Sequence, residues 1–253
     1  MTKTTEAAPE PASPVIVVGV SAIAGPAAVI QLAAMLAQLR RGSLHGLFIE
    51  DEDLLNVAGL PFSQEILQFG GQARDFSNLN LERTMARLAA EFRRLLVQQA
   101  ESRSLSWTYS SIRSNRGGLV ETTPADLLII SPAAGKSPGT AIPQRILLLG
   151  ADRPSVQKAL LSVLEASRPG PIELIIATTG RAVADKILEQ LNLNQLQQAW
   201  PGLNWRTVSA TDPAQLLTTA KLRPSLVVLP RDSGPSDINT CLRLASCPVV
   251  VAS

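Results

Sequence analysis

The residues best suited by type to do chemistry are Gly135-Lys136-Ser137 and, two residues on, Gly139-Thr140. They follow Asp126–Ser131 (DLLIIS), which reads as a buried strand. Glycines after a parallel strand let backbone N–H groups approach a phosphate closely. A lysine and two hydroxyls add donors. A P-loop would need a further glycine five residues before Gly135, where Ile130 stands. The whole stretch Pro132–Gln144 (PAAGKSPGTAIPQ) also has the composition of a linker. A second candidate is Pro230–Ser236 (PRDSGPS), again behind an apolar run. There Arg231 and Gly234 could meet a phosphate, but Asp232 beside Arg231 would repel one.

Other reactive side chains have plainer readings. His45 is the single histidine and lies inside an apolar strand, so it reads as packed and hydrogen-bonded. The run Glu50-Asp51-Glu52-Asp53 could draw a divalent cation, but consecutive acids point in different directions, so a solvated loop is expected and no metal site is assigned. Cys241 and Cys247 read as buried thiols. No Gly-x-Ser-x-Gly elbow is present, so no catalytic triad is assigned and no enzyme activity is expected.

The elements that must position these residues follow from periodicity. Val15–Val20 is a β-branched run and reads as a strand, and Ala27–Leu39 as an apolar helix closed by Arg40-Arg41-Gly42. Strands are predicted over Ser43–Ile49, Leu105–Ile112 and Asp126–Ser131, with an excursion between the first two. In Leu81–Ser102, Leu81, Met85, Leu88, Phe92, Leu95 and Leu96 fall on one helical stripe. From Arg145 the pattern restarts. Strands are expected at 145–149, 172–177, 204–209, 225–229 and 248–252. Helices are expected at 155–166, 182–198, 212–221 and 237–245.

Alternation of strand and helix specifies an α/β fold with parallel sheets. The repeat divides the chain into a disordered tail over 1–14, a first unit over 15–144 that stops after its fourth strand, and a second unit over 145–253. The 253 residues are 45% apolar and 17% charged, which excludes a wholly disordered chain. Lys and Arg total 23 and Asp and Glu 21, for a net charge of +2. The first 144 residues carry net −1 and the rest net +3, so no strong basic field exists and no nucleic-acid partner is expected. The uncharged stretch Pro11–Leu39 is long enough to cross a bilayer, but Gly19, Ser21, Gly25 and Pro26 interrupt it. Strand–turn–helix is the expected reading. No stable membrane insertion is expected, and the cytoplasm is the default compartment.

Certain residues carry a resemblance. Leu242–Ala252 (LRLASCPVVVA) looks like the closing helix and strand of universal stress protein (UspA-like) domains. Ile146–Leu161 (ILLLGADRPSVQKALL) resembles that family's opening strand, turn and first helix. Leu44–Phe48 and Glu50–Phe62 look like the second strand and insertion of bacterial tandem members. The resemblance covers about residues 15–253. It implies two tandem Rossmann-like units of the adenine-nucleotide-alpha-hydrolase type, with strand order 3-2-1-4-5. Many members bind ATP through a Gly-x2-Gly-x9-Gly-Ser/Thr loop after the fourth strand and an Asp ending the first. Here the Asp position falls at Val20 or Ser21 in one unit and near Gly150 in the other, and neither loop keeps the spacing. The resemblance therefore implies a non-catalytic regulatory or interaction protein of a stress response. Its nucleotide sites are largely lost, it needs no cofactor, and it works through a protein partner or a homodimer. The alternative is an ATP-binding, weakly hydrolysing member that uses Gly135–Thr140. A third reading, a domain associated with a membrane transporter, rests on the apolar amino-terminal region. The truncated first unit leaves an open sheet edge, which the second unit or a partner could cover.

Overall fold

The computed structural model describes residues 13–21, 26–51, 56, 64–66, 73–75, 78–114, 116–132, 143–167, 170–210, 212–219 and 222–253. In the first half, β1 (Val15–Ser21), α1 (Ala27–Leu39) and β2 (Ser43–Asp51) form one β–α–β unit. The excursion holds a small hairpin, β3 (Gln64–Ile66) and β4 (Ala73–Asp75). Then come α2 (Asn78–Glu101), β5 (Trp107–Ser114), α3 (Arg116–Thr122) and β6 (Leu127–Ile130). The second half runs β7 (Arg145–Leu148), α4 (Pro154–Ala166), β8 (Ile172–Thr178), α5 (Arg181–Leu191), α6 (Leu193–Ala199) and β9 (Leu203–Ser209). It closes with α7 (Pro213–Thr218), β10 (Leu226–Pro230), a 3-10 turn over Arg231–Ser233, α8 (Pro235–Leu244) and β11 (Val249–Ala252).

Two tandem units with parallel sheets are the expectation from the sequence. The chain instead builds one nine-stranded sheet, ordered β5-β2-β1-β6-β11-β10-β7-β8-β9. All pairs are parallel except β6–β11, where Ile129 faces Val250 and Leu128 faces Val251 in antiparallel register. The reason is edge chemistry. After β6 no further strand of the first half occurs among the described residues, and an apolar edge with unpaired N–H and C=O groups must be covered. The all-buried β11 covers it. A hydrogen bond extends the join, Ser253 N–H donating to the Asp126 carbonyl (3.1 Å); within the first half, Val15 N–H donates to the Asp126 carboxylate (2.8 Å).

Two apolar layers sandwich this sheet. One contains α1, α2, α4 and α5, with Ile30, Leu36, Phe92, Leu96, Leu160 and Ile187 buried against the strands. The other contains α3, α7 and α8, with Leu119, Leu216, Ile238 and Leu242. Both layers cross the join. Arg40 at the end of α1 donates from Nε to the Ser162 hydroxyl on α4 (3.0 Å), and α3 packs on α8.

The close of α1 differs from the sequence expectation in its detail. The left-handed position is held by Arg41 (φ 51°), not by Gly42. Gly42 is needed for approach: a Cβ there would run into the Pro14 carbonyl, which accepts the first β1–β2 bond from Ser43. The helix expected over 182–198 is two helices, broken where Asn192 turns left-handed (φ 47°). Pro11–Leu39 contains a strand and a 13-residue helix, and among the described residues no helix is long and apolar enough to cross a membrane.

Candidate functional site

In an open parallel sheet, helices on opposite faces leave a crevice where successive connections diverge. In the second half that point lies between β7 and β10. The chain leaves β7 through α4 on one face and reaches β10 through α7 on the other. A cleft of about 400 Å³ opens there, at the carboxyl ends of the strands. Leu149, Gly150 and Asp152 line it behind β7. Thr178 and Thr179 contribute from the end of β8, and Val183 and Leu216 from the first turns of α5 and from α7. Ser233 and Asp237 complete it from the turn and helix after β10. Gly150 is left-handed (φ 61°), and a Cβ there would lie 2.8 Å from the Pro230 ring, so the turn after β7 requires glycine.

The lining carries two carboxylates, Asp152 and Asp237, and no cationic side chain. At the rim, Arg153 is held between acids, 3.4 Å from Asp232 and 4.0 Å from Asp152. A helix N-terminus usually draws anions. The α8 terminus is already answered: its first residue, Pro235, has no N–H, and Asp237 lies in its first turn.

The sequence candidates separate. Gly135, Lys136, Ser137, Gly139 and Thr140 lie outside the described residues. Gly234 stands beside the cleft, between Ser233 and Asp237, at φ 90°. Arg231 turns away from it toward the first half. Its Nη1 donates to the Thr123 carbonyl after α3 (2.9 Å), and it lines a separate hollow of about 120 Å³ with Val120, Glu121 and Ile238. Burial lowers its pKa. Arg231 thus ties the two halves together.

The remaining reactive residues are engaged. The His45 ring hydrogen-bonds with Thr108 Oγ1 at Nδ1 (2.6 Å) and with Ser110 Oγ at Nε2 (3.0 Å). Glu50, the first acid of its run, accepts from Ser111 and Arg113, both at 3.0 Å. No group of three or more His, Cys, Asp or Glu residues suited to a metal ion occurs among the described residues. Cys241 and Cys247 are buried and not disulfide-linked. Burial, then the nearby Asp237, pushes the Cys241 thiol up to about 12, so it stays protonated and unreactive. On α2, Arg94 pairs with Glu91 (2.7 Å) and Arg93 lies over the Tyr109 ring.

His45 supports a pH prediction. Partial burial disfavours the imidazolium and lowers the pKa below its ordinary 6.5. The unfolded chain then takes up its proton at higher pH than the folded one. The His45 contribution to stability is full above pH 6.5 and declines as pH falls through the folded-state pKa. With a single histidine, the ring-proton NMR titration is unambiguous, and its midpoint is expected below 6.5. A midpoint above that value would show that the ring is stabilised as a cation.

No protein-family profile matches the chain, and no curated protein matches it in sequence. Among solved structures, the chain is similar to a universal stress protein from Archaeoglobus fulgidus DSM 4304. The identity is 12%, the match covers 93% of this chain and 96% of that one, and the TM-score is 0.48. It is also similar to the cytoplasmic domain of a prokaryotic cation chloride cotransporter, at 11% identity over 93% of this chain and 94% of that one, with a TM-score of 0.42.

Proposed function

We propose that the chain is a tandem protein of the universal stress type that acts without catalysis, as a regulatory or interaction protein in the cytoplasm. The two units are residues 15–144 and 145–253. Reading outward from β11, the second-half strands run β11-β10-β7-β8-β9, which is the order 3-2-1-4-5 read in reverse. The first-half strands run β5-β2-β1-β6, the same order stopped at its fourth member. The fifth strand of the second unit then stands against the fourth of the first, which makes the chain a pseudo-dimer. The outer strands β5 and β9 are where a protein partner or a second copy would add.

The observation that carries the non-catalytic reading is the charge of the cleft. A bound triphosphate needs cations or free backbone N–H groups around it. The cleft offers Asp152 and Asp237, and Arg231 points elsewhere. The test is calorimetric titration of nucleotide-free protein with ATP and magnesium at two temperatures. No saturable heat is expected. Saturable micromolar binding would overturn the reading. If Lys136→Ala then abolished that binding, the loop Gly135–Thr140 would be the phosphate site and the ATP-binding alternative would stand in its place.

A further inference from the structure

We infer that the cleft at the ends of β7, β8 and β10 binds an amphipathic organic cation, an amine carried on an apolar body. The inference rests on the reading above that no triphosphate fits this cleft, and it assigns the ligand class the cleft does fit.

Three independent observations converge. The first is shape and polarity. The cleft is of a size that holds small organic ligands. Its walls include Ala177, Ile187, Leu216 and Leu229, and Val183 at its edge is 40% exposed. An apolar body seated there would remove that surface from water. The second is an unanswered hydroxyl. Thr178 is only 5% exposed and lines the cleft, yet its side chain makes no hydrogen bond among the described residues. Its oxygen opens on the cleft rather than being sealed in the core, so it is available to a ligand N–H. The third is charge. Asp152 and Asp237 line the cleft and Asp232 stands nearby, and Arg153 at the rim is already held by acids. Of the helix ends that open on the cleft, that of α8 carries its own carboxylate, Asp237. An ammonium group among these carboxylates gains charge-assisted hydrogen bonds, whereas a carboxylate or phosphate is repelled.

The experiment compares three probes of one shape on the full chain: tryptamine, its neutral analogue tryptophol, and the anion indole-3-acetate, each titrated calorimetrically. Tryptamine is expected to bind saturably and at least about tenfold more tightly than tryptophol, with indole-3-acetate weakest. Because the attraction is between charges near the surface, its lead over tryptophol should shrink as salt is raised. In Asp152→Asn/Asp237→Asn the amine and the alcohol should bind within about twofold of one another. Both positions are at least partly exposed, and a thermal melt of the variant confirms that it is folded.

Indole-3-acetate binding as tightly as tryptamine, or no binding by any probe, would overturn the inference. Titrating ATP with tryptamine present separates this from failure of the functional reading. ATP that binds and displaces tryptamine overturns both, since it puts a polyanion in the cleft. ATP that binds and leaves tryptamine in place overturns only the loss of the nucleotide site.

Discussion

Val250→Asp should unfold the protein or cost at least about 4 kcal/mol, and it should do so in both halves at once. Val250 is fully buried, in the strand that joins the halves, and faces Ile129 of β6 across the antiparallel pair. A carboxylate there faces Ile129, Val228 and the apolar layer they belong to, and must either remain charged in that layer or carry a proton without a partner. Val250→Ala removes volume without adding charge, and about 1–3 kcal/mol is expected from it. The tryptophans give each half a reporter. Trp107 lies on β5 in the first half, and Trp205 on β9 in the second. With the other tryptophans replaced by Phe, urea unfolding followed at Trp107 and at Trp205 should give coincident midpoints that move together in the variant. If Trp107 stayed native while Trp205 reported unfolding, the nine strands would not be one cooperative sheet.

Much of this architecture is legible in the sequence, for identifiable reasons. The helix Ala27–Leu39 falls where its apolar periodicity predicts. The stripe of α2 is also as read: Leu81, Met85, Phe92 and Leu96 are buried, with Leu88 and Leu95 packed at the margin. Such elements declare themselves because one face must be apolar at a fixed period. The helix α3 does not. It begins Arg116-Gly117-Gly118, and glycine is among the poorest helix formers. It is held by tertiary burial of Leu119 and Val120 against α8, which no local signal announces. The pairing of β6 with β11 is equally silent. Both are four-residue apolar runs more than a hundred residues apart, and periodicity carries no information about which strand a run will join. What the sequence does supply is the need: its pattern predicts a first half that stops after its fourth strand, and such an edge requires a cover.

The cleft was harder to read than the fold. Motif reasoning led to Arg231 and to the glycines of 135–140, because phosphate loops have recognisable spacings. The lining of the cleft comes from separate strand ends and has no spacing at all. Its signal was positional. Polar groups follow three of the apolar runs of the second half: Asp152 directly after RILLLGA, Thr178-Thr179 directly after IELIIA, and Ser233 three residues past the end of SLVVLP. In a parallel sheet those carboxyl ends gather at one edge, so residues far apart in sequence become neighbours. Arg231 shows the converse. Its type and loop matched a phosphate contact, but the direction of a side chain is set by what packs beside it, and the Thr123 carbonyl from the other half accepts its N–H.

Phe92→Ala should be the most damaging change that leaves the charge of the chain untouched. Phe92 is fully buried in α2, where its ring lies between Phe48 on β2 (centroids 6.3 Å apart) and Tyr109 on β5 (6.0 Å). Both contacts are tilted, an arrangement aromatic quadrupoles favour, and each adds to the burial itself. Truncation leaves a void between α2 and the outer strands. The helix cannot slide in to fill it, because Leu96, one turn on, already lies against Gly46, where even a Cβ would collide with its side chain. About 3–5 kcal/mol is therefore expected, or a fall of roughly 10 °C in Tm. Phe92→Leu keeps most of the volume and should recover more than half of that loss. The loss should also appear locally, as faster amide exchange along β5, which is the edge strand of the sheet among the described residues and packs against this ring through Tyr109. If Phe92→Ala melted within about 1 kcal/mol of the parent, α2 would not be packed through this ring. The first half would then owe its stability to α1 and the join alone.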